Sequence, residues 1–250
     1  TRGADTEAYN GTTWTVLNNI NTARDNLSGA GADSTSAVTF GGDTPGSPGP
    51  SVTTELWNGS SWSEVNDLND ATPNAGSLGI STAALNFGGG GTVNNESWNG
   101  TNWTEVGNLN TARDSNAGGA GTTSAGLAFG GKEPSPAVTG NTESWNGSAW
   151  SEVNNMNDDR RQLVGTGTQT SALAFSGEDP GTGSKTSTES WNGTNWSNVE
   201  NLSTGRVVAD GSGASNTSAL CFGGATALTA TEEWDGTGFI IETLTTTSDN

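Results

Sequence analysis

Glu96-Ser97-Trp98-Asn99-Gly100-Thr101-Asn102-Trp103 is the stretch that decides the fold. Reduced to Glu, one residue, aromatic, Asn-Gly, two residues, aromatic, it recurs about every 41 to 48 residues, a period expected of stacked structural repeats. Full copies stand at Glu55-Leu56-Trp57-Asn58-Gly59 with Trp62, at residues 143–150 with Trp145 and Trp150, and at residues 189–196 with Trp191 and Trp196. Weaker copies open and close the chain: Glu7, Tyr9, Asn10, Gly11 and Trp14, then Glu232, Trp234, Asp235, Gly236 and Phe239. Asn-Gly is a favoured tight-turn dipeptide. The two aromatics therefore flank a four-residue loop and face each other across an antiparallel ladder, where such pairs are favourable.

Between these copies lies a second pattern, an alternating apolar stretch ending in Phe40-Gly41-Gly42, Phe87-Gly88-Gly89, Phe129-Gly130-Gly131 and Phe222-Gly223-Gly224, with Phe175-Ser176-Gly177 as the departure. An arginine stands 15 or 16 residues upstream of the Phe at Arg24, Arg113, Arg160 and Arg206; Thr72 takes its place in the second unit. Each unit thus reads as four strands: a (small residues, such as Gly165-Thr166-Gly167), b (into Gly-Gly), c (Glu to the first aromatic) and d (from the second). A strand of Gly and Ala fits where strands crowd around a propeller axis, so a should be innermost. The expected fold is all-β, one domain over residues 1–250, a β-propeller of five four-stranded blades. There are five a–b pairs, near 27–42, 75–89, 117–131, 163–177 and 209–224. There are six c–d hairpins, near 5–18, 53–66, 94–107, 141–154, 187–200 and 230–243. One hairpin is surplus. It is expected to close the ring at its seam, to be the remnant of a further blade in a larger ring completed by missing sequence or a partner, or to pack on another copy, since an isolated hairpin is marginal.

Arginine, a small-residue strand, an apolar strand ending in Gly-Gly, then an aromatic and a Trp at fixed spacing resembles the kelch repeat over residues 5–245. The chain departs from it in using Trp for the first aromatic, and at Thr72 and Ser176. The uniform Glu-Ser-Trp-Asn-Gly wording is also similar to repetitive proteins of marine phages and bacteria, which implies a virion or surface component such as a phage tail, fibre or decoration protein. The resemblance implies structural roles for Arg24, Arg113, Arg160 and Arg206 and for Trp57, Trp62, Trp98, Trp103, Trp145, Trp150, Trp191, Trp196 and Trp234.

Composition narrows the function. Eight basic against 27 acidic residues give a formal charge of −19, which repels nucleic-acid phosphates and anionic membranes. No apolar run approaches the roughly 18 residues of a helical membrane span. The acidic balance suits an extracellular or virion surface, and the absence of an initial Met is what a processed or excised piece would show. Without histidine and with one cysteine, Cys221, neither an intramolecular disulfide nor a zinc site of His and Cys can form, and the copper oxidases of kelch type, which need His, are excluded. Cys221 aligns with Ala128 and Ala174 and reads as a small buried filler. Ser97-Trp98-Asn99-Gly100-Thr101-Asn102-Trp103 nearly matches the Ser-x-Asp-x-Gly-x-Thr-Trp turn of sialidases, but it is one residue short and has Asn for Asp.

The Glu series at 55, 96, 143, 189 and 232 is copied in every blade, which argues for structural ion pairs with the arginines; read as exposed, each is worth about 0 to 1 kcal/mol. The Asn-Gly-Thr/Ser tripeptides match the glycosylation acceptor, but turn chemistry alone accounts for them. The Trp residues read as core, with Trp14 the expected exposed exception. Asp158-Asp159 and Glu178-Asp179 are acidic enough for calcium but lack a spaced ligand series. No cofactor is expected. Function should lie where blades differ. The b–c loops of residues 43–52, 132–141 and 178–187 are long and rich in Pro and Gly, and they emerge on the face of the d–a connections. The candidate ligand-binding residues on this face are Asp43, Pro48, Lys132, Glu133, Pro136, Glu178, Asp179 and Lys185. The expected function is a non-catalytic module binding a glycan or surface protein, or assembling with other virion or surface subunits or as a homo-oligomer. The alternatives are a glycan-processing enzyme pairing Glu133 with Glu178 or Asp179, and a filament or lattice subunit exchanging its terminal hairpin.

Overall fold

The computed structural model describes residues 3–44, 46, 49–115, 117–134, 137–225 and 230–242. Among these the chain is all β, with five four-stranded antiparallel sheets arranged in a ring as a five-bladed β-propeller. A hairpin, β1 (Glu7–Tyr9) and β2 (Trp14–Val16), precedes the blades. Blade 1 is β3 (Ser28–Asp33), β4 (Ser36–Phe40), β5 (Thr54–Trp57) and β6 (Trp62–Glu64). Blade 2 is β7 (Gly76–Ile80), β8 (Ala83–Phe87), β9 (Asn95–Trp98) and β10 (Trp103–Glu105). Blade 3 is β11 (Gly118–Thr122), β12 (Ala125–Phe129), β13 (Thr142–Trp145) and β14 (Trp150–Val153). Blade 4 is β15 (Val164–Thr168), β16 (Ser171–Phe175), β19 (Thr188–Trp191) and β20 (Trp196–Asn198), with a small hairpin, β17 (Glu178–Asp179) and β18 (Gly183–Ser184), in its b–c loop. Blade 5 is β21 (Asp210–Ser215), β22 (Ser218–Phe222), β23 (Thr231–Trp234) and β24 (Phe239–Glu242).

The small-residue strands are innermost, each lying beside the next around the axis from β3 to β21. Crowding there explains their composition: a Cβ on Gly165 would meet the backbone N of Gly119, one blade back, at 2.6 Å. The apolar residues of each b strand, Leu127 and Phe129 for example, are then sealed between blades with Leu163 and Trp196 of the next blade.

The two aromatics of each outer hairpin pair in register, as Trp57 with Trp62 and Trp145 with Trp150, but they do different work. The c-strand Trp ties down its own blade: Nε1 of Trp57, Trp98, Trp145, Trp191 and Trp234 each donates at 2.9 Å to a carbonyl of that blade's a–b turn. The d-strand Trp reaches back one blade. Trp103 Nε1 donates to Thr54 Oγ1 at 3.0 Å and Trp196 Nε1 to Thr142 Oγ1 at 3.1 Å, while their rings stand edge-on to Phe40 and Phe129. Such ring contacts add about 0.5–1.5 kcal/mol beyond burial. Two exceptions prove the pairing chemically. Where Asn95 replaces the Thr, Trp150 Nε1 is buried without a partner, and where Phe239 replaces the Trp, Thr188 Oγ1 is.

Trp14, expected to be exposed, is half-buried: it stands on Phe222 at 4.9 Å and donates to Thr231 Oγ1 at 3.1 Å. The surplus hairpin therefore sits at the ring's seam, between blade 5 and blade 1, and blade 5 is completed by residues 230–242.

The b strands end in a left-handed residue, with φ of +67° at Gly41, +66° at Gly88, +65° at Gly130 and +65° at Gly223; Ser176 holds the same conformation at +61°. An L side chain is strained there, and Ser176 Oγ is buried with no hydrogen-bond partner. Ser176→Gly should stabilise the fold by about 1 kcal/mol, a rise in Tm of roughly 2–4 °C for a chain of this size. Thermal and urea unfolding check it, and an unchanged or lower midpoint would refute the strain.

Candidate functional site

The repeated carboxylates are not a site but the joints of the ring. Glu55, at the second position of β5, is fully buried. Its carboxylate accepts the backbone N–H of Asn21 at 2.7 Å and of Thr22 at 3.3 Å, the Asn21 side-chain amide at 2.8 Å, and Arg24 Nη2 at 3.0 Å. Glu143 repeats this with Asn110, Thr111 and Arg113, and Glu189 with Asn157, Asp158 and Arg160. Glu232 does so with Ser203 and Arg206. The ion pairs expected at the surface are thus buried, with both side chains at 0–1 % exposure. The reason is that the two ends of the b–c loop converge, so that carbonyls such as Gly41 O and Thr53 O close onto Arg24 Nη1. Burial pulls the guanidinium pKa of Arg24, Arg113 and Arg160 down, and the facing glutamates offset part of it.

Blade 2 solves the same joint without a cation. Glu96 keeps its three N–H donors from Asn69 and Asp70, while Thr72 takes the Arg position and accepts Asn86 Nδ2 at 2.7 Å. The linker asparagines that cap these glutamates escaped the sequence reading; the signal was their fixed position seven residues after the d-strand Trp.

Of the candidate ligand-binding residues, the structure places Asp43, Lys132, Glu178 and Lys185 where b–c loops bridge to d–a connections on one rim, with Glu133 and Asp179 next to them in the same loops. Asp43 bridges to Asp25 through backbone hydrogen bonds of 2.8 and 3.1 Å and accepts Asn26 Nδ2 at 3.1 Å. Lys132 bridges to Asp114 and pairs with its carboxylate at 3.6 Å. Glu133 accepts Asn141 Nδ2 at 3.2 Å. Glu178 accepts Arg161 Nε at 2.9 Å and Nη2 at 2.7 Å, Asp179 accepts the N–H of Gly181 at 2.9 Å, and Lys185 pairs with Asp158. Burial opposes ionisation of Asp158, but hydrogen bonds from Lys185 and Ser187 and the charge of Arg160 outweigh it and hold its pKa below the usual value. Pro48 and Pro136 lie outside the described residues.

Blades 3 and 4 are stitched on this rim by Gly131 N–H to Arg160 O at 2.9 Å, so Lys132, Arg161 and Lys185 belong to one stretch, whereas Asp43 lies apart on blade 1. Among the described residues, no group of three His, Cys, Asp or Glu side chains is placed to hold a metal ion. The sequence reading also missed a cavity of about 950 Å³ along the axis, opening at the seam, lined by Glu7, Asp210, Leu220 and Phe222 among others. Cys221 is buried, and burial pushes its thiol up to about 12.

In comparisons with known proteins, no family model and no curated protein matches the chain.

Arg113→Thr should cost about 3–5 kcal/mol by leaving Glu143 buried without its counter-charge. Adding Ala128→Asn recreates the blade 2 pairing and should recover part of that loss in urea unfolding; no recovery would show that the two joints are not interchangeable. Cys221 should resist thiol reagents at mildly alkaline pH in the folded chain and react fully once unfolded. Reaction at equal rates in both states would contradict its burial.

Proposed function

We propose that the chain is a non-catalytic propeller module of kelch type, displayed on a virion or cell surface, that binds a glycan or surface protein through the b–c loop rim of blades 3 and 4. The observation that carries this reading is the placement of positive charge. Of the described cations, Arg24, Arg113, Arg160 and Arg206 are consumed by the buried joints, and the remaining three, Lys132, Arg161 and Lys185, all stand on this one rim. On a chain of formal charge −19, that concentrates polarised, half-exposed ion pairs where the blades differ from one another. Such pairs contribute little to stability, so their grouping is more readily explained by recognition.

The carboxylates that a hydrolase would need support the same reading. Glu178 is held by Arg161 on blade 4, and Glu133 by Asn141 on blade 3.

A glycan array and a panel of surface proteins probed with the full chain and with Lys132→Ser/Arg161→Ser/Lys185→Ser test the proposal. Binding by the wild type that falls at least tenfold in the triple variant is the expected result. Equal binding by both would move the site elsewhere, and cleavage of a bound glycan would overturn the non-catalytic reading.

A further inference from the structure

The seam holds half of a sixth blade. The hairpin β1–β2 makes the Trp–Thr contacts that an outer hairpin makes with the blades on either side: Trp14 Nε1 reaches back to Thr231 on blade 5, and Trp62 Nε1 of blade 1 reaches back to Thr6 at 3.1 Å. Gly3 bridges to Arg24 as Lys185 bridges to Arg206 and Thr92 to Arg113. Among the described residues this hairpin has no inner strands. β21 and β3 do not lie side by side as every other neighbouring pair does, and among the described residues no strand pairs with the inner edge of β1.

The walls of the gap are those of an unfilled blade position. Phe40, Phe87, Phe129 and Phe175 are fully buried by the following blade, as are Leu85, Leu127 and Leu173, but their blade 5 counterparts Phe222 and Leu220 are only half-buried and line the 950 Å³ cavity. Glu7, at the position where five glutamates are 0–1 % exposed, is exposed on that cavity, and no arginine among the described residues pairs with it.

We propose that this slot binds a β-hairpin of the repeat's own inner type, lying outside these 250 residues, as a sixth pair of inner strands. The occupant would carry an arginine for Glu7, a strand of small residues against the axis between β21 and β3, and an apolar strand ending in Phe-Gly-Gly that adds to the edge of β1. The chemistry is written four times in the chain itself, in the blades whose arginine meets its buried glutamate. A second copy is a poor occupant, because its inner strands are built into its own blades and its spare hairpin is of the outer, aromatic kind.

The test uses the full chain and a synthetic peptide of residues 110–131, which contains the linker, Arg113 and both inner strands of blade 3. Fluorescence anisotropy should show saturable binding, with a raised Tm and slowed amide exchange at residues 7–9. Arg113→Ala in the peptide and Glu7→Gln in the chain should each weaken binding at least tenfold, and the two together no more than either alone. Any of three results overturns the proposal: no binding up to about 1 mM peptide, equal binding of a scrambled peptide, or independent effects of the two substitutions. Self-association of the chain that the peptide competes away would also overturn it, by making a second copy the occupant.

Discussion

A buried glutamate at the second position of each c strand holds the ring together. Blades in a propeller share no backbone ladder, so something other than sheet hydrogen bonding must fix each one against the linker that arrives from its predecessor. Glu55, Glu96, Glu143, Glu189 and Glu232 do this by accepting N–H groups from that linker, and four of them by also pairing with an arginine. A buried ion pair adds little net stability, but a register that strands one of its charges in a dry site is strongly disfavoured. With 30 % hydrophobic residues and 38 glycines, the chain has little aliphatic bulk to enforce register by packing. Polar joints repeated at each blade, with tryptophans bonded within their own blade and back to the one before, take over that role.

Where one joint changes, its neighbours change with it. Thr72 and Asn86 appear together in blade 2, replacing the cation and supplying the hydrogen bond that fills its place. The αL position tolerates Ser176 only because the surrounding structure over-determines the turn, with Gly177 N–H held by Arg206 O at 2.9 Å. β3 and β21, the inner strands that flank the seam, are one residue longer than the others and carry the register shifts, between Gly31 and Asp33 and between Gly213 and Ser215. Relaxation of the inner strand appears where a neighbouring strand is missing.

The fold was legible in the sequence because each of its determinants is a short-range pattern copied several times: the Asn-Gly loop between paired aromatics, the glycine-rich inner strand, the Phe-Gly-Gly stop. Turn chemistry at Asn58, whose Oδ1 accepts the N–H of both Ser60 and Ser61, is local enough to be read from one dipeptide. What the sequence could not show is burial, which depends on which blades close around a residue. The arginine pairs read as exposed because nothing in Arg24 or Glu55 announces that the converging ends of the b–c loop shield them. Trp14 read as exposed because its partner, Thr231, lies 217 residues away. The seam cavity was visible only as a mismatch in strand count, five inner pairs against six outer hairpins.

That mismatch also explains how an isolated outer hairpin can persist. Two three-residue strands have too little ladder to fold alone. At the seam, however, β1–β2 keeps the two contacts that do not need inner strands, the Trp14–Phe222 ring contact and the Trp–Thr hydrogen bonds on both sides. It forgoes the one contact that does, the glutamate joint, since that requires the linker and arginine of an inner hairpin. The outer wall of the blade position is therefore in place before its interior is filled. An incoming hairpin would meet a preformed edge, a preformed apolar wall and a waiting carboxylate, so most of the ordering that a docked segment normally requires falls on the segment alone.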